Sequence, residues 1–343
     1  MARTYRAAGV DTGLAAEAVQ RIARAAAGSA TANVLGGVGG FGGLFHFDPS
    51  RFSDPVLVSS TDGVGTKLKI AVALDAYDTL GQDLVHQSVN DIAVTGAEPL
   101  FFLDYLALGR LDPERVERIV AGIAGACAGL EIPLLGGETA QMPDVYRDDD
   151  IDLAGFVVGV VERADLIDGS RVQEGDAVIG LPSSGLHTNG YTLARRILPP
   201  ETWKRRVDGL PGTIGEALLA PHRSYLGEMR GLRAALREAG GDIGAFSHIT
   251  GGGWSGNIPR TLPDGLGVVI RTGSWSVPFI FTLLQQRGDI EDAEMARTFN
   301  LGIGLTAVVP SSLTDVALAA VPGAVLVGSV AGVEAGEERV AFE

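Results

Sequence analysis

The sequence predicts an α+β protein of two domains, each built from mixed layers of helix and sheet. The chain has 343 residues, and at about 150 residues per domain this length favours two domains. Helical and extended patterns alternate in both halves, with varied strand lengths and connections, which favours mixed sheets over a doubly wound parallel sheet. A polar stretch at 162–176 separates the halves, so we place the boundary between domains 1–170 and 171–343.

Apolar periodicity and capping residues assign the elements of the first domain. Asp11 and Thr12 precede a helical spacing of apolar residues, and Pro113 is typical of the first position of a helix. The predicted elements are helices from Thr12, over 82–95 and from Pro113, and strands over 56–58, 101–108, 133–135 and 153–161.

The second domain repeats this alternation. We predict helices over 192–198, 225–239, 279–287 and 313–320, and strands over 177–181, 267–270, 301–309 and 324–330. A further helix is predicted after the three glycines at 251–253.

Composition narrows the classes of partner. Glycine, at 48 of 343 residues, is about twice as frequent as usual, which indicates many sites of positive φ or close backbone approach. The net charge of −15 argues against nonspecific binding to nucleic acid or anionic membranes. A single cysteine, Cys127, excludes an intrachain disulfide and a cysteine-cluster metal site, and its apolar helical surroundings predict an inert core position.

The sequence also bears on location. The longest near-apolar run, 153–161, is far shorter than the ~20 residues that span a bilayer. The residues after Met1 lead into no apolar signal core. We therefore expect a soluble, cytoplasmic protein that contacts no membrane.

The first motif with chemical potential is 60–68, Ser-Thr-Asp-Gly-Val-Gly-Thr-Lys-Leu, directly after an apolar strand. Its glycines let backbone N–H groups approach an anion, and Lys67 supplies a point charge for phosphate. Asp62 would hold a Mg²⁺ ion that bridges phosphate oxygens. A glycine turn with a solvated lysine is the alternative, and this motif alone leaves both open.

The second motif is the polar face of the helix predicted over 82–95. This face carries short or neutral side chains and lacks the long Lys, Glu and Arg that usually coat a solvated helix. It can therefore line a site, with Asp91 and Asn90 as ligands of a metal and a nucleotide. A solvated helix face is the alternative interpretation. The face consists of Asp83, His86, Gln87, Asn90 and Asp91.

The third motif, Gly136-Gly137-Glu138-Thr139, places a carboxylate after paired glycines at a strand end. Together with Asp62 and Asp91, Glu138 gives three carboxylates at element ends in one domain. Oxygen ligands suit Mg²⁺ rather than zinc, so these three are the candidate metal ligands.

Two motifs stand out in the second domain. The segment 183–191, Ser-Ser-Gly-Leu-His-Thr-Asn-Gly-Tyr, follows a strand, and 248–259 contains three glycines that can present free N–H groups to a phosphate. For His187 and His248 a hydrogen-bonded structural histidine is the alternative interpretation. His46 and His222 receive no functional assignment.

Taken in order, these segments resemble the phosphoribosylformylglycinamidine cyclo-ligase family, from Tyr5 nearly to the end of the chain. No single segment is decisive, but the ordered set is highly specific. Gln141 stands where the family often has a glutamate, so a fourth carboxylate ligand is not expected there. The resemblance rests on 5–11, 36–43, 61–68, 89–91, 96–105, 136–140, 183–191, 250–259 and 298–304.

The resemblance implies an ATP-dependent ring closure in purine synthesis, with Mg²⁺, in a homodimer joined through its N-terminal domains. It implies an N-terminal domain for ATP and dimerisation and a C-terminal domain on the substrate side. His187, Lys67 and Asn189 would be catalytic. The nucleotide would contact Gly39, Gly40, Gly42, Thr61, Asp62, Lys67, Asn90, Asp91 and Thr139, and the substrate Asn189, His248, Thr250, Gly251, Gly252 and Gly253.

Related families offer alternatives. Formylglycinamidine ribonucleotide synthetase is usually much longer or needs partner subunits. Selenophosphate synthetase typically has a reactive cysteine or selenocysteine near its N-terminus, and Cys127 does not lie there. A hydrogenase-maturation dehydratase belongs to the same superfamily. Thiamine-monophosphate kinase is the better enzymatic alternative. A non-catalytic nucleotide-binding scaffold is the alternative from another class, and the presence of Asp62, Lys67, Asp91 and Glu138 argues against it.

Overall fold

The computed structural model describes residues 4–5, 11–37 and 39–343. Residues 6–10, near the start of the resemblance, and Val38 of the glycine loop lie outside the described residues. The chain divides into two compact units, so the two-domain prediction is confirmed. Unit 1 comprises Met1–Ile92 and Ala97–Ala164, and unit 2 comprises Ala93–Gly96 and Asp165–Glu343. The main division therefore follows Ala164, somewhat before the predicted end of the first domain at residue 170.

Unit 1 is built on a mixed four-stranded sheet in the order β1-β4-β2-β3. The β1–β4 and β4–β2 pairs are antiparallel and β2–β3 is parallel, as expected for an α+β domain. The helices are α1 (Thr12–Ala27), α2 (Leu68–Leu74), α3 (Leu80–Ala93) and α4 (Pro113–Gly129), and the strands are β1 (Pro55–Gly63), β2 (Glu98–Leu108), β3 (Leu134–Gln141) and β4 (Ile151–Glu162).

The two faces of this sheet differ. On one face α3 packs closely, because a Cβ at Gly155 would lie 3.0 Å from Leu84 Cγ and one at Gly159 would lie 2.7 Å from Ile92 Cδ1. Register pairing places Leu57, Thr61 and Phe156 on the other face. Leu57 is 66% exposed there and Phe156 42% exposed. The second face is therefore open within unit 1.

Unit 2 is built on a six-stranded sheet in the order β10-β7-β9-β5-β8-β6, in which only β10–β7 is parallel among the described pairs. Its core includes Trp254, Ile270 and Val327. The helices are α5 (Tyr191–Ile197), α6 (Ile214–Leu218), α7 (Leu226–Glu238), α8 (Gly253–Asn257), α9 (Phe279–Gly288), α10 (Asp292–Thr298) and α11 (Thr314–Ala320). The strands are β5 (Ala177–Pro182), β6 (Ala245–His248), β7 (Leu266–Ile270), β8 (Ile303–Val309), β9 (Val325–Gly332) and β10 (Val340–Phe342).

Most predicted elements are confirmed, including the helix cap at Asp11, and α4 has a similar cap. The Asp11 carboxylate accepts from Gly13 N at 2.9 Å, and the Asp112 carboxylate accepts from Glu114 N at 3.0 Å. Strand β8 begins at Ile303, not at Leu301, because Leu301 (φ +53°) and Gly302 (φ +97°) form a left-handed turn.

Five short elements have no counterpart in the predictions: α2, α6, α10, β6 and β10. Every residue of β6 is buried, so this strand shows no alternation of apolar and polar residues. The α10 helix has seven residues, too few for a clear helical period. None of the helices in the described part of the chain has the length and apolar character needed to cross a membrane.

Two titratable groups are buried on the helix-covered side of unit 1. Cys127 on α4 is fully buried, as predicted, and burial raises the pKa of its thiol. Asp104 on β2 is also buried, and burial raises the pKa of this carboxyl to about 7. The folded state therefore holds a proton that the unfolded chain releases near its ordinary pKa of about 4.

We expect Asp104→Asn to stabilise the protein more at pH 8 than at pH 5. Because its pKa is raised in the folded state, the contribution of Asp104 to the free energy of unfolding falls as pH rises from about 4 to about 7 and is constant above that. An amide does not titrate and avoids this loss. Thermal unfolding midpoints at both pH values measure the difference. Asp148→Asn, at an exposed loop position, is the control. A stabilisation equal at the two pH values would contradict the buried carboxyl as its cause.

Candidate active site

In unit 1 the end of strand β1 faces helix α3. Ser60 and Asp62 are two residues apart on β1 and so point to the same face, while Gln87 and Asp91 are one turn apart on α3. Gln87 Nε2 donates to Asp62 Oδ2, and Ser60 Oγ donates to Asp91 Oδ2 at 3.4 Å. Strand and helix thus bring the carboxylates of Asp62 and Asp91 to one location.

The polar face of α3 is largely withdrawn from solvent. Asp83, Gln87 and Asn90 are buried, whereas His86 and Asp91 are partly exposed. The alternative of a solvated helix face is therefore wrong for this helix. Its short polar side chains contact the end of β1 and the segment that follows.

Lys67, between β1 and α2, is fully buried and contacts α3. It ends the turn after β1, and its Nζ lies 2.8 Å from Asp83 Oδ1, with neither side chain exposed. Burial lowers the pKa of Lys67, and the adjacent Asp83 carboxylate opposes that shift. The alternative of a solvated lysine is therefore wrong, and its contact with phosphate stays a prediction.

Glu138 does not join Asp62 and Asp91. In the sheet register Glu138 pairs with Tyr105, which pairs with Ala154, whereas Asp62 pairs with Gly155. Neighbouring positions on one strand point to opposite faces, so Glu138 projects toward the open face of the sheet. Among the described residues, no group of three carboxylates has its ligand atoms within 4.8 Å of one another.

The remaining nucleotide residues of the predictions occupy accessible positions. Gly39, Gly40 and Gly42 lie in an exposed, irregular loop, and Gly39 has φ +117°. Thr61 is exposed at the end of β1, and Thr139 is partly exposed on β3. Thr61 points to the open face with Glu138, and Thr139 to the α3-covered face with Asp62.

In unit 2 the predicted segment 183–191 is a turn that holds His187 in a left-handed conformation (φ +63°). Ser184 N donates to His187 Nε2 at 3.3 Å, so in the neutral imidazole the proton sits on Nδ1. The ring packs on β8 so closely that a Cβ at Gly304 would lie 2.4 Å from His187 Cε1. His187 is thus fixed by its backbone and by its surroundings.

A cavity of about 670 Å³ opens beside this turn. It is lined by Ser184 and Gly185 together with Arg206, Glu216 and Phe279 among others. Asn300 stabilises its wall: its Oδ1 accepts from Ser183 Oγ at 3.0 Å, and its Nδ2 donates to Gly185 O at 2.8 Å.

The glycine segment at 251–253 lies next to Asn189. A Cβ at Gly251 would lie 3.2 Å from Asn189 Oδ1, and one at Gly253 would lie 2.1 Å from Ala296 O. Asn257 Nδ2 donates to Gly251 O at 3.2 Å and to Gly253 O at 2.7 Å. The structure therefore brings Asn189 and the glycines together. Gly253 has no space for a side chain.

Thr250 and His248 lie beside these glycines in the chain. Thr250 Oγ1 donates to Asn257 Oδ1 at 3.2 Å, and His248 ends β6. His248 Nε2 lies 3.0 Å from His222 Nε2, and the His222 ring stacks on that of His187 at 4.0 Å between centroids. His222 thus connects two predicted site residues.

Sequence reasoning missed the residues that support the site. Gln87 and Asp83 were placed on the correct helix face, but the sequence does not reveal their partners on β1 and the following turn. Asn257 and Asn300 lie in segments of the resemblance, but the sequence does not show that their side chains hold loop carbonyls, and the histidine at 222 has no motif around it. Only their contacts in the folded chain identify them.

Two family models match the chain. The N-terminal domain of AIR synthase related proteins matches residues 48–161, and the C-terminal domain of the same family matches residues 173–341. Together they cover most of both units.

Solved structures share this fold at low identity. A thiamine-monophosphate kinase from Stenotrophomonas maltophilia aligns with a TM-score of 0.67 and 18% identity, covering 95% of this chain and 96% of that one. Hydrogenase maturation protein HypE in complex with ATP aligns with a TM-score of 0.65 and 18% identity, covering 92% and 88%. These similarities show the two-domain fold alone.

Curated relatives are much more similar. A phosphoribosylformylglycinamidine cyclo-ligase of Desulfitobacterium hafniense is 52% identical over 90% of both chains. Those of Sorangium cellulosum (52%, covering 93% and 92%) and Citrifermentans bemidjiense (47%, covering 98% and 97%) are comparable. With both family models matched and about half of its residues identical over nine-tenths of its length, the chain belongs to the phosphoribosylformylglycinamidine cyclo-ligase family.

Proposed function

We propose that the chain catalyses the ATP-dependent closure of formylglycinamidine ribonucleotide to 5-aminoimidazole ribonucleotide, a step of purine synthesis. The observation that carries this proposal is the 52% identity to a cyclo-ligase over 90% of both chains. The carboxylates at the end of β1 and on α3, and the histidine, asparagine and glycine residues of unit 2, are groups of the kind that such a reaction needs.

The reaction transfers a phosphoryl group and then forms a ring. The formyl-amide oxygen attacks the γ-phosphorus of ATP, and ADP leaves. The amidine nitrogen then attacks the activated carbon and loses a proton, and phosphate leaves with the former amide oxygen. The first step needs charge stabilisation of phosphoryl oxygens, and the second needs a folded, oriented substrate.

In unit 1, Asp62 and Asp91 would hold Mg²⁺-ATP. Both are oxygen donors, both are at least partly exposed, and both project from the same junction of β1 and α3. Mg²⁺ is commonly bound by one or two carboxylates together with substrate phosphates and water, so this pair fits it. The bound ion would neutralise phosphoryl charge. Because Glu138 projects to the other face, we propose that Asp62 and Asp91 act without it.

The neighbouring residues would then position the nucleotide. Thr139 offers a hydroxyl group on the face that carries Asp62, and the exposed glycines of the loop 36–43 offer backbone N–H groups. Asn90 is buried and Thr61 points to the open face with Glu138, so we leave these two residues out of the proposed contacts. Gln87 holds the Asp62 carboxylate by donating to it, which orients its other oxygen. These contacts are proposals that follow from the placement of the residues.

In unit 2, the turn at 183–191 and the glycines at 251–253 would bind the substrate. Gly251 and Gly252 beside Asn189 would provide N–H groups for the ribose phosphate, whereas Gly253 N already donates to Thr250 O at 3.0 Å. Asn189 can hydrogen-bond the reacting amide. His187 and His248 are the candidate imidazoles to hydrogen-bond the reacting amide or to move the amidine proton.

A homodimer joined through unit 1 is part of the proposal. The open sheet face exposes Leu57 and Phe156, and apolar side chains of this kind are typical of surfaces that bind another protein. The single, buried cysteine suits a reducing compartment, and we propose a cytoplasmic location.

The direct test of the proposed function compares two substrates of the superfamily. We expect ADP release with formylglycinamidine ribonucleotide and none above background with thiamine monophosphate, measured in one coupled assay with Mg²⁺-ATP. ADP release only with thiamine monophosphate would assign the kinase activity instead. ATP binding without turnover of either substrate would favour a nucleotide-binding scaffold.

We expect Asp91→Asn to weaken binding of Mg²⁺-ATP about 10-fold, equivalent to ~1.4 kcal/mol, because one of two metal-binding carboxylates is lost. Isothermal titration at fixed Mg²⁺ measures it. Asp148→Asn makes the same chemical change at an exposed loop position and is the matched control. Unchanged affinity and turnover in Asp91→Asn would remove this residue from the site.

A charge-neutral double variant separates the structural role of Lys67 from a role at phosphate. Asp83→Asn alone leaves a buried ammonium with a weaker partner and is expected to cost about 3–5 kcal/mol of stability. Lys67→Met with Asp83→Leu removes both charges and is expected to restore most of it. If Lys67 also acts on phosphate, the double variant binds Mg²⁺-ATP more weakly than wild type despite its stability. Wild-type affinity in a stable double variant would confine Lys67 to a structural role.

A further inference from the structure

Three buried histidines lie side by side in unit 2, and His222 has no role in the proposed function. It lies between α6 and α7 and is 1% exposed. Its ring stacks on His187 with centroids 4.0 Å apart and an interplanar angle of 22°. Its Nε2 lies 3.0 Å from that of His248. No motif in the sequence draws attention to it.

A shared metal ion does not fit this arrangement, although one nitrogen of each ring lies within 4.8 Å of the others. The lone pair of an imidazole nitrogen lies in the ring plane, and a zinc ion would lie along it at about 2.0–2.1 Å. The stacked, nearly parallel planes of His187 and His222 keep their lone pairs from converging on one point. The 3.0 Å between the two Nε2 atoms is a hydrogen-bond distance.

The hydrogen bond between the two Nε2 atoms holds a single proton. One ring must donate through Nε2–H and the other must accept with a bare Nε2, because two protons would collide and none would leave two lone pairs opposed. The tautomers of neutral His222 and His248 are therefore linked: fixing one fixes the other.

The other ring nitrogen of His222, Nδ1, contacts the turn at 183–191. Its Nδ1 lies 3.3 Å from Thr188 Oγ1, which accepts from Asn189 Nδ2 at 3.4 Å. If His222 donates to His248, its Nδ1 accepts from the Thr188 hydroxyl. If it accepts from His248, its Nδ1–H donates to Thr188. Thr188 and Asn189 are thus connected through His222 to the end of β6.

We propose that His222 is a positioning residue for ring closure. It selects the tautomer of His248 through the Nε2–Nε2 hydrogen bond and holds the His187 imidazole in place by stacking. The nitrogen that an imidazole offers to a substrate is set by the partner of its other nitrogen. This inference rests on the proposed function, because His222 acts through residues that the proposed function assigns to the substrate.

Nuclear magnetic resonance of the wild-type enzyme tests the linkage directly. With five histidines in the chain, the imidazole ¹⁵N signals can be assigned by substitution. We expect one tautomer for each of His222 and His248 and a scalar coupling between their Nε2 nuclei across the hydrogen bond. Absence of that coupling together with a mixture of tautomers at His248 would overturn the proposal.

Kinetics of two variants test the consequence. His222→Phe keeps an aromatic ring on His187 but has no nitrogen, and we expect kcat to fall about 10-fold or more while KM for ATP stays within about 2-fold. His222→Gln restores a donor and an acceptor and should recover part of kcat. His46→Gln, at an exposed position in unit 1, is the control and should match wild type.

The outcomes separate this inference from the proposed function. If wild type does not turn over formylglycinamidine ribonucleotide, the proposed function fails, and the coupling still decides whether His222 fixes the tautomer. If wild type is active and His222→Phe retains its kcat, the positioning role is wrong. If His222→Phe does not fold, His222→Gln and the wild-type coupling decide. His187→Asn removes the imidazole of the catalytic candidate, and asparagine tolerates the left-handed backbone at this position. Its loss of kcat is the reference against which the loss in His222→Phe is compared.

Discussion

The close packing of helix α3 on the sheet of unit 1 is the constraint on which the proposed nucleotide site depends. Gly155 and Gly159 of β4 leave no room for side chains, so the helix approaches until Leu84 and Ile92 contact the strand. At that distance Gln87 and Asp91, on the adjoining flank of α3, reach the end of β1 and hydrogen-bond to Asp62 and Ser60. A helix held farther out by larger side chains would not make these hydrogen bonds.

In unit 2 the loops of the proposed site are held by hydrogen bonds from polar side chains rather than by glycines that allow close packing. Asn300 satisfies Ser183 and Gly185 at once, and Asn257 satisfies two carbonyls of the glycine segment. Buried polar groups that are fully hydrogen-bonded rigidify a site, whereas unsatisfied ones destabilise it. Both asparagines therefore hold their loops in one conformation, and the proposed intramolecular ring closure needs such preorganisation.

Sequence reasoning succeeded where the relevant information is local. The cap at Asp11, the helix that begins at Pro113, the buried cysteine and the polar face of α3 all follow from residue type and spacing, and the structure agrees. It did not reveal side-chain partners that are distant in sequence. Lys67 looks like a phosphate-binding lysine, but its buried partner Asp83 lies on the next helix but one. Glu138 looks like a third metal ligand, but the register of β3 turns it to the other face.

The sequence by itself determined the number of domains, the α+β class, most helices and strands, and the family, because periodicity, capping and ordered motifs are properties of the chain alone. Only the tertiary structure decided which polar residues meet. Whether Asp62 faces Asp91, whether Lys67 is solvated and whether His222 touches His248 depend on strand register and helix packing. A shift of one residue in register turns every side chain of a strand to the opposite face, and no local pattern encodes the partner that it then meets.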